Sequence, residues 1–170
     1  MKLIRSYIDL CLFKASPADL PASQWLLRLT LFAYFIIGTG IGLIDSPIRI
    51  SIASSLADTL TMVVALWLML NFRGMLNRYQ QSLTALAGAG CCIGIVAIPI
   101  MLLFSQIDIK QQTTSYVMLL MIALMFWSLM VTAHILRKSL DIKPGTAAVL
   151  TVAYTIITLV LVALATSGVA

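Results

Sequence analysis

Five apolar blocks, each close to the length that spans a bilayer, leave this chain few ways to fold. They cover residues 22–44, 50–70, 83–104, 116–135 and 147–169. About 20 apolar residues cross the hydrocarbon core as a helix, and a helix satisfies its own backbone groups in lipid. The connections DSPIR, NFRGMLNRYQQS, SQIDIKQQTTS and LRKSLDIKPGT are short. Consecutive helices are therefore expected to be antiparallel neighbours. The fold class that follows is all-α: a polytopic integral membrane bundle of five transmembrane helices over residues 22–170, one domain. A cytoplasmic amphipathic segment over 1–21 precedes it.

Composition points the same way. The 170 residues are 61% hydrophobic and 10% charged, with no Glu, and the mean hydropathy is +1.05. A soluble core of this size cannot bury that much apolar surface. The net charge of +5 sits between the blocks, so the basicity addresses a membrane surface rather than nucleic acid.

Lys and Arg set an orientation. Lys2, Arg5, Lys14, Arg28, Arg73, Arg78, Arg137, Lys138 and Lys143 fall on one side; Arg49 and Lys110 fall on the other. Nine against two predicts a cytoplasmic N-terminus and an outer C-terminus, in a bacterial inner membrane. Trp25 and Trp67 sit near the basic side, as interfacial aromatics do. Lys2, Arg5, Lys14, Arg28, Arg73, Arg78, Arg137 and Lys138 are the expected contacts to lipid headgroups.

The opening MKLIRSYIDLCLFKASP carries too many charges for a cleavable signal peptide. It reads as an interfacial helix, with Lys2, Arg5, Ser6 and Asp9 on one face and Ile4, Tyr7, Ile8 and Cys11 on another. The alternative is an amphipathic tail packed on the bundle. Pro17 and Pro21 break this helix, and Ser23 or Asp19 can cap the next. Pro144 belongs in the first turn of the last helix.

Asp58 is the residue that stands out. It lies nine residues beyond Arg49, about 13 Å deep along a helix. An unpaired carboxylate there costs several kcal/mol, so it must be neutral, paired or facing a wet cavity. Ser51, Ser54, Ser55, Asp58 and Thr61 form one polar stripe. The opposite face carries Ile52, Leu56, Leu60, Val63 and Val64. The stripe reads either as helix–helix glue or as an ion- or ligand-responsive site. Tyr34, Trp127 and Tyr154 lie deep enough to need polar partners, and Asp58 is an available acceptor.

Gly38 and Gly42 form GxxxG in the first block, and Gly88, Gly90 and Gly94 punctuate the third. Such residues let backbones approach closely. The expected pairing is between these two helices or with another protein. Pro99 is expected to kink the third helix. Cys11, Cys91 and Cys92 form no CxxC, and the lone His134 cannot complete a metal site with them. No metal, cofactor or catalytic residue is expected. His134 reads as an interface residue at a helix C-terminus.

The layout resembles the Yip superfamily of small multi-pass membrane proteins. The shared features are a cytoplasmic N-terminal segment, five apolar crossings, very short loops and many small residues. That resemblance covers Trp25 to the end and implies an adaptor that acts through partner proteins and bilayer shape. The expected function is an inner-membrane accessory or scaffold protein. It would bind other membrane proteins, or a second copy, through its intramembrane helix faces, and the lipid bilayer through its basic residues. The alternative is a small transporter, channel or export subunit centred on Asp58. No second intramembrane carboxylate or converging acid–base set marks an enzyme.

Overall fold

The computed structural model describes residues 2–106 and 113–168, with side chains from 5 to 105 and from 116 to 168. The Lys2 side chain and Lys110 lie outside the described residues. Helix α1 spans Lys2–Cys11, α2 Gln24–Gly42, α3 Ile48–Phe72, α4 Tyr79–Gln106, α5 Thr113–Leu140 and α6 Pro144–Ser167. Among the described residues five helices, those containing α2 to α6, are long and apolar enough to cross a membrane. The protein is thus an all-α, multi-pass membrane bundle.

Helix ends follow local chemistry. Ser23 caps α2, its Oγ accepting from Leu26 N at 3.4 Å; this satisfies one of the donors a helix start leaves open. Pro144 stands at the start of α6, where its missing N–H costs nothing. Asp141 closes α5 in the left-handed region, at φ 51°. Arg73, just past α3, donates from Nε and Nη2 to Leu140 O at 3.3 and 3.2 Å. A guanidinium on the last carbonyls of a helix complements its dipole and ties α3 to α5. Helix α4 runs through Pro99 without a break.

The five spans close into a ring. Around it α2 is followed by α4, α5, α6 and α3, and α3 returns to α2. Consecutive α3 and α4 are therefore not close neighbours, contrary to the expectation from short loops; they flank α2 instead. The reason lies in the glycines. Gly38 and Gly42 admit α3: a Cβ on Gly38 would sit 2.8 Å from Ser55 Oγ, and one on Gly42 would sit 3.0 Å from Ser51 Cβ. Gly90 and Gly94 admit α2 to α4, against Tyr34 and Ile37. The expected pairing of α2 with α4 therefore uses only the α4 glycines.

Packing is uneven along the ring. At the end rich in Lys and Arg, Met62, Leu66, Leu70, Leu83, Ile135 and Leu140 are almost fully buried and form a solid apolar plug. Towards the other end fewer side chains are buried. The outer faces are apolar throughout: Ile52, Leu56, Leu60 and Val64 of α3 are exposed, while Val63 packs inward. So much contiguous exposed apolar surface is normal only where lipid is the solvent.

Helix α1 packs on the bundle, against α4 and α5. Its buried face is Tyr7, Leu10 and Cys11, at helical spacing i, i+3, i+4, whereas Ile8 is exposed. Gly88 gives Tyr7 its place, since a Cβ there would overlap the phenol ring. The segment after α1 is held by side chains of the bundle. Trp127 Nε1 donates to Cys11 O at 3.2 Å, and Gln81 Nε2 donates to Leu20 O at 2.9 Å. His134 Nε2 lies 3.2 Å from Ala15 O, and Phe13 meets its ring edge-on.

Candidate functional site

The polar stripe on α3 divides as it crosses the membrane. Ser51 is fully buried against Gly42, and its Oγ turns back to Ser46 O and Pro47 O at 3.3 and 3.2 Å. Ser54 Oγ does the same, donating to Ser51 O at 3.0 Å. Ser55 Oγ crosses to α2 and donates to Phe35 O at 2.8 Å. Thr61 Oγ1 bonds Ala57 O at 2.7 Å and its side chain faces the groove toward α6. Hydroxyls that return to carbonyls of their own helix are satisfied without a partner helix.

Asp58 differs from all of them. It lies ten residues into α3, about 15 Å along the helix, and lines a cavity of about 430 Å³ inside the ring. Tyr34 Oη donates to Asp58 Oδ2 at 2.6 Å, a short bond of the kind a carboxyl partner gives. Gly90 makes this pair possible. Side-chain bulk at that position would occupy the space of the Tyr34 ring, so a missing methyl on α4 sets the aim of a phenol on α2. Tyr154, Thr155 and Thr158 enter from α6, and Ser128 and Thr132 from α5. Thr158 Oγ1 is buried without a hydrogen-bond partner among the described residues.

The rest of the wall is apolar or small. Met62 and Leu86 close the cavity toward the plug, and it reaches toward the other end as far as Ile41, Ala97 and Leu159. A pocket of this size, mostly apolar with a few convergent polar groups, has the character of a small-molecule site. The described residues contain no cluster of metal-ligating side chains.

The other residues singled out in the sequence are dispersed. Gly38 and Gly42 lie in the α2–α3 seam, Gly88 under Tyr7, and Gly90 and Gly94 against α2. Arg5, Lys14, Arg28, Arg73, Arg78, Arg137 and Lys138 are exposed, with Arg73 also capping α5. Trp127, read as a possible donor to Asp58, bonds Cys11 O instead. The three thiols are free. The Cys92 thiol beside Cys11, together with burial, pushes the Cys11 thiol well above its usual range, so it stays protonated and inert. Burial pushes the Tyr7 phenol up to about 12, and its hydroxyl has no hydrogen-bond partner among the described residues.

Sequence reasoning named Asp58 as an available acceptor for Tyr34, Tyr154 and Trp127, and the structure pairs it with Tyr34. That reasoning missed Thr155, Thr158, Ser128 and Thr132, whose only signal was hydroxyls scattered in apolar helices. No family model, no curated protein and no solved structure matches the chain.

Proposed function

We propose that the protein is a small-solute binding and transport protein of the membrane, with its site at the Asp58–Tyr34 pair inside the helix ring. One observation carries this reading: Asp58, the only acidic side chain among the described residues that line the ring's cavity, bonds Tyr34 of α2 and also faces space that a ligand can fill. Intramembrane carboxylates are costly, and where they face a cavity they mark a pathway. The plug closes the cavity at the basic end, and fewer side chains are buried at the other, an asymmetry that suits one state of an alternating-access cycle. The excess of Lys and Arg at the plugged end supports a closed side that faces the cytoplasm in a bacterial inner membrane.

A scaffold role is the second reading. The glycine faces and most of the polar stripe are used within the chain, so a partner would need another surface. A shallow hollow on α6, formed by Ala148, Val149, Val152, Ala153 and Ile156, offers one. The Yip-like topology supports this reading in outline and adds no residue to it.

Reconstitution decides between them. Vesicles containing the protein are expected to accumulate or release a solute under an imposed proton or solute gradient, and Asp58→Asn is expected to abolish the flux. Intact, folded protein with no flux for any of a broad solute panel, together with a stable oligomer disrupted by Ala153→Trp, would favour the scaffold.

A further inference from the structure

We infer that the cavity takes a singly charged organic amine with an apolar body, and that the amine replaces the proton of the Asp58 carboxyl. This rests on the binding reading above and names its ligand class and coupling.

The argument begins with charge. Among the described residues Asp58 is the only acid lining the cavity, and no Lys, Arg or His lines it. The titratable groups facing it are Tyr34 from α2 and Tyr154 from α6; α4 presents only Leu86, Ala89, Gly90, Ile93, Gly94 and Ala97. From α5 the polar groups are the hydroxyls of Ser128 and Thr132. Cys91 lies near Tyr34 but is not on the wall. Tyr34 gives Asp58 a hydrogen bond and no charge. A carboxylate so placed must be neutralised by a proton or by a bound cation. Both occupy the same group, so they exclude each other.

The ligand's form follows from the walls. One carboxyl neutralises one positive charge; a dication would keep a charge in the site and an anion would find none to meet it. Tyr34 and Tyr154 put two phenol groups on the wall, and aromatic rings attract cations. Ser128 and Thr155 spend their hydroxyl protons on Met125 O and Thr151 O, at 2.8 and 2.9 Å. Their oxygens remain as acceptors for ammonium N–H groups. The remaining volume is apolar and much larger than one hydrated metal ion requires, which suits a hydrocarbon body. The exchange balances: Asp58–COOH and R–NH₃⁺ give the ion pair Asp58–COO⁻ with R–NH₃⁺, and one proton leaves.

The test uses the full chain in detergent, weakly buffered at neutral pH with a pH-indicating dye. The probes are 1-aminoadamantane, 1-adamantanol and adamantane-1-carboxylate, three ligands with the same body and different charge. The amine is expected to bind with release of about one proton per molecule. The alcohol and the acid should bind roughly tenfold or more weakly. Asp58→Asn, checked for a monodisperse folded state, should lose both the preference and the proton release. Tyr34→Phe should weaken amine binding while keeping the release. If the alcohol binds as well as the amine, or the amine binds without proton release, the inference falls and a binding cavity still stands. If sodium alone releases the proton and excludes the amine, the organic class is wrong. If none of the probes binds folded wild-type protein, the inference and the binding reading fall together.

Discussion

The α2–α3 seam and the central cavity share one stripe of α3, yet they differ in every physical respect. In the seam, Ser51 and Ser55 press against glycines, and their hydroxyls are satisfied within hydrogen-bond distance. One turn further, Asp58 faces a hollow and holds a single phenol. Polar groups in a membrane helix act as adhesive where backbones converge and become a site where they part. Residue type alone does not decide between the two; the small residues on the facing helix do.

The sharpest way to break this contrast is to force the seam apart. Gly38→Leu places bulk where even a Cβ would lie 2.8 Å from Ser55 Oγ. Overpacking of this kind costs about 1–3 kcal/mol and sometimes more, so the variant should show the largest drop in thermal stability and poor recovery as a monodisperse species. A wild-type melting curve for Gly38→Leu would show that the seam is not tight.

The cavity should respond in the opposite way. Asp58→Leu removes a costly polar group but strands the Tyr34 hydroxyl, a loss of about 1–3 kcal/mol. Adding Tyr34→Phe should restore most of that stability while binding stays lost. A double-mutant cycle from thermal or denaturant melts measures the coupling. A double variant as unstable as the sum of its parts would mean that Asp58 and Tyr34 are uncoupled and that their bond contributes nothing to the ring.

The α1–α4 contact lies between these extremes, being tight at Gly88 yet enclosing a Tyr7 hydroxyl that has no hydrogen-bond partner among the described residues. The Tyr7 phenol is raised from 10.0 to about 12 by burial. Its neutral form is the one the docked helix favours. The stabilisation is complete below pH 10.0 and is lost as pH rises through about 12. Protease cleavage within α1, followed against pH, should increase across that window in the wild type and not in Tyr7→Phe.

Ser55→Ala should have the smallest effect. It deletes one interhelical hydrogen bond, worth about 0.6 kcal/mol on average within membranes. Phe35 O keeps the Thr39 hydroxyl as a donor at 2.8 Å. A loss far above that value would make the seam's hydroxyls, rather than its close backbone approach, the main adhesive.

The spans themselves were legible, because hydropathy and backbone satisfaction act locally. The ends moved by a few residues: α4 begins at Tyr79 and α5 runs to Leu140, since helices continue into the headgroup layer beyond the apolar run. Asp58 was legible as an anomaly for the same local reason. The cavity was not, because it depends on which helices adjoin α3 and how far they splay. Gly90 and Gly94 do meet α2 as expected, but Gly38 and Gly42 meet α3 instead, because GxxxG states that something approaches closely without saying what. The α1 face was read one position out of phase: Tyr7 and Cys11 turn inward, but Leu10 joins them in place of Ile8. Amphipathicity has the same signature whether the apolar side meets lipid or protein.

The pinning of the N-terminal segment has a consequence for timing during synthesis. Cys11 O and Ala15 O find their partners in Trp127 and His134, 116 and 119 residues downstream. Chains are made from the N-terminus at about 5–20 residues per second. Residues 2–20 therefore leave the ribosome well before the helix that receives them. In that interval an amphipathic helix has somewhere to wait, on the bilayer surface. Its arrival against α4 and α5 then requires both of those helices to be in place, so an environment-sensitive probe on this segment would report when they have paired.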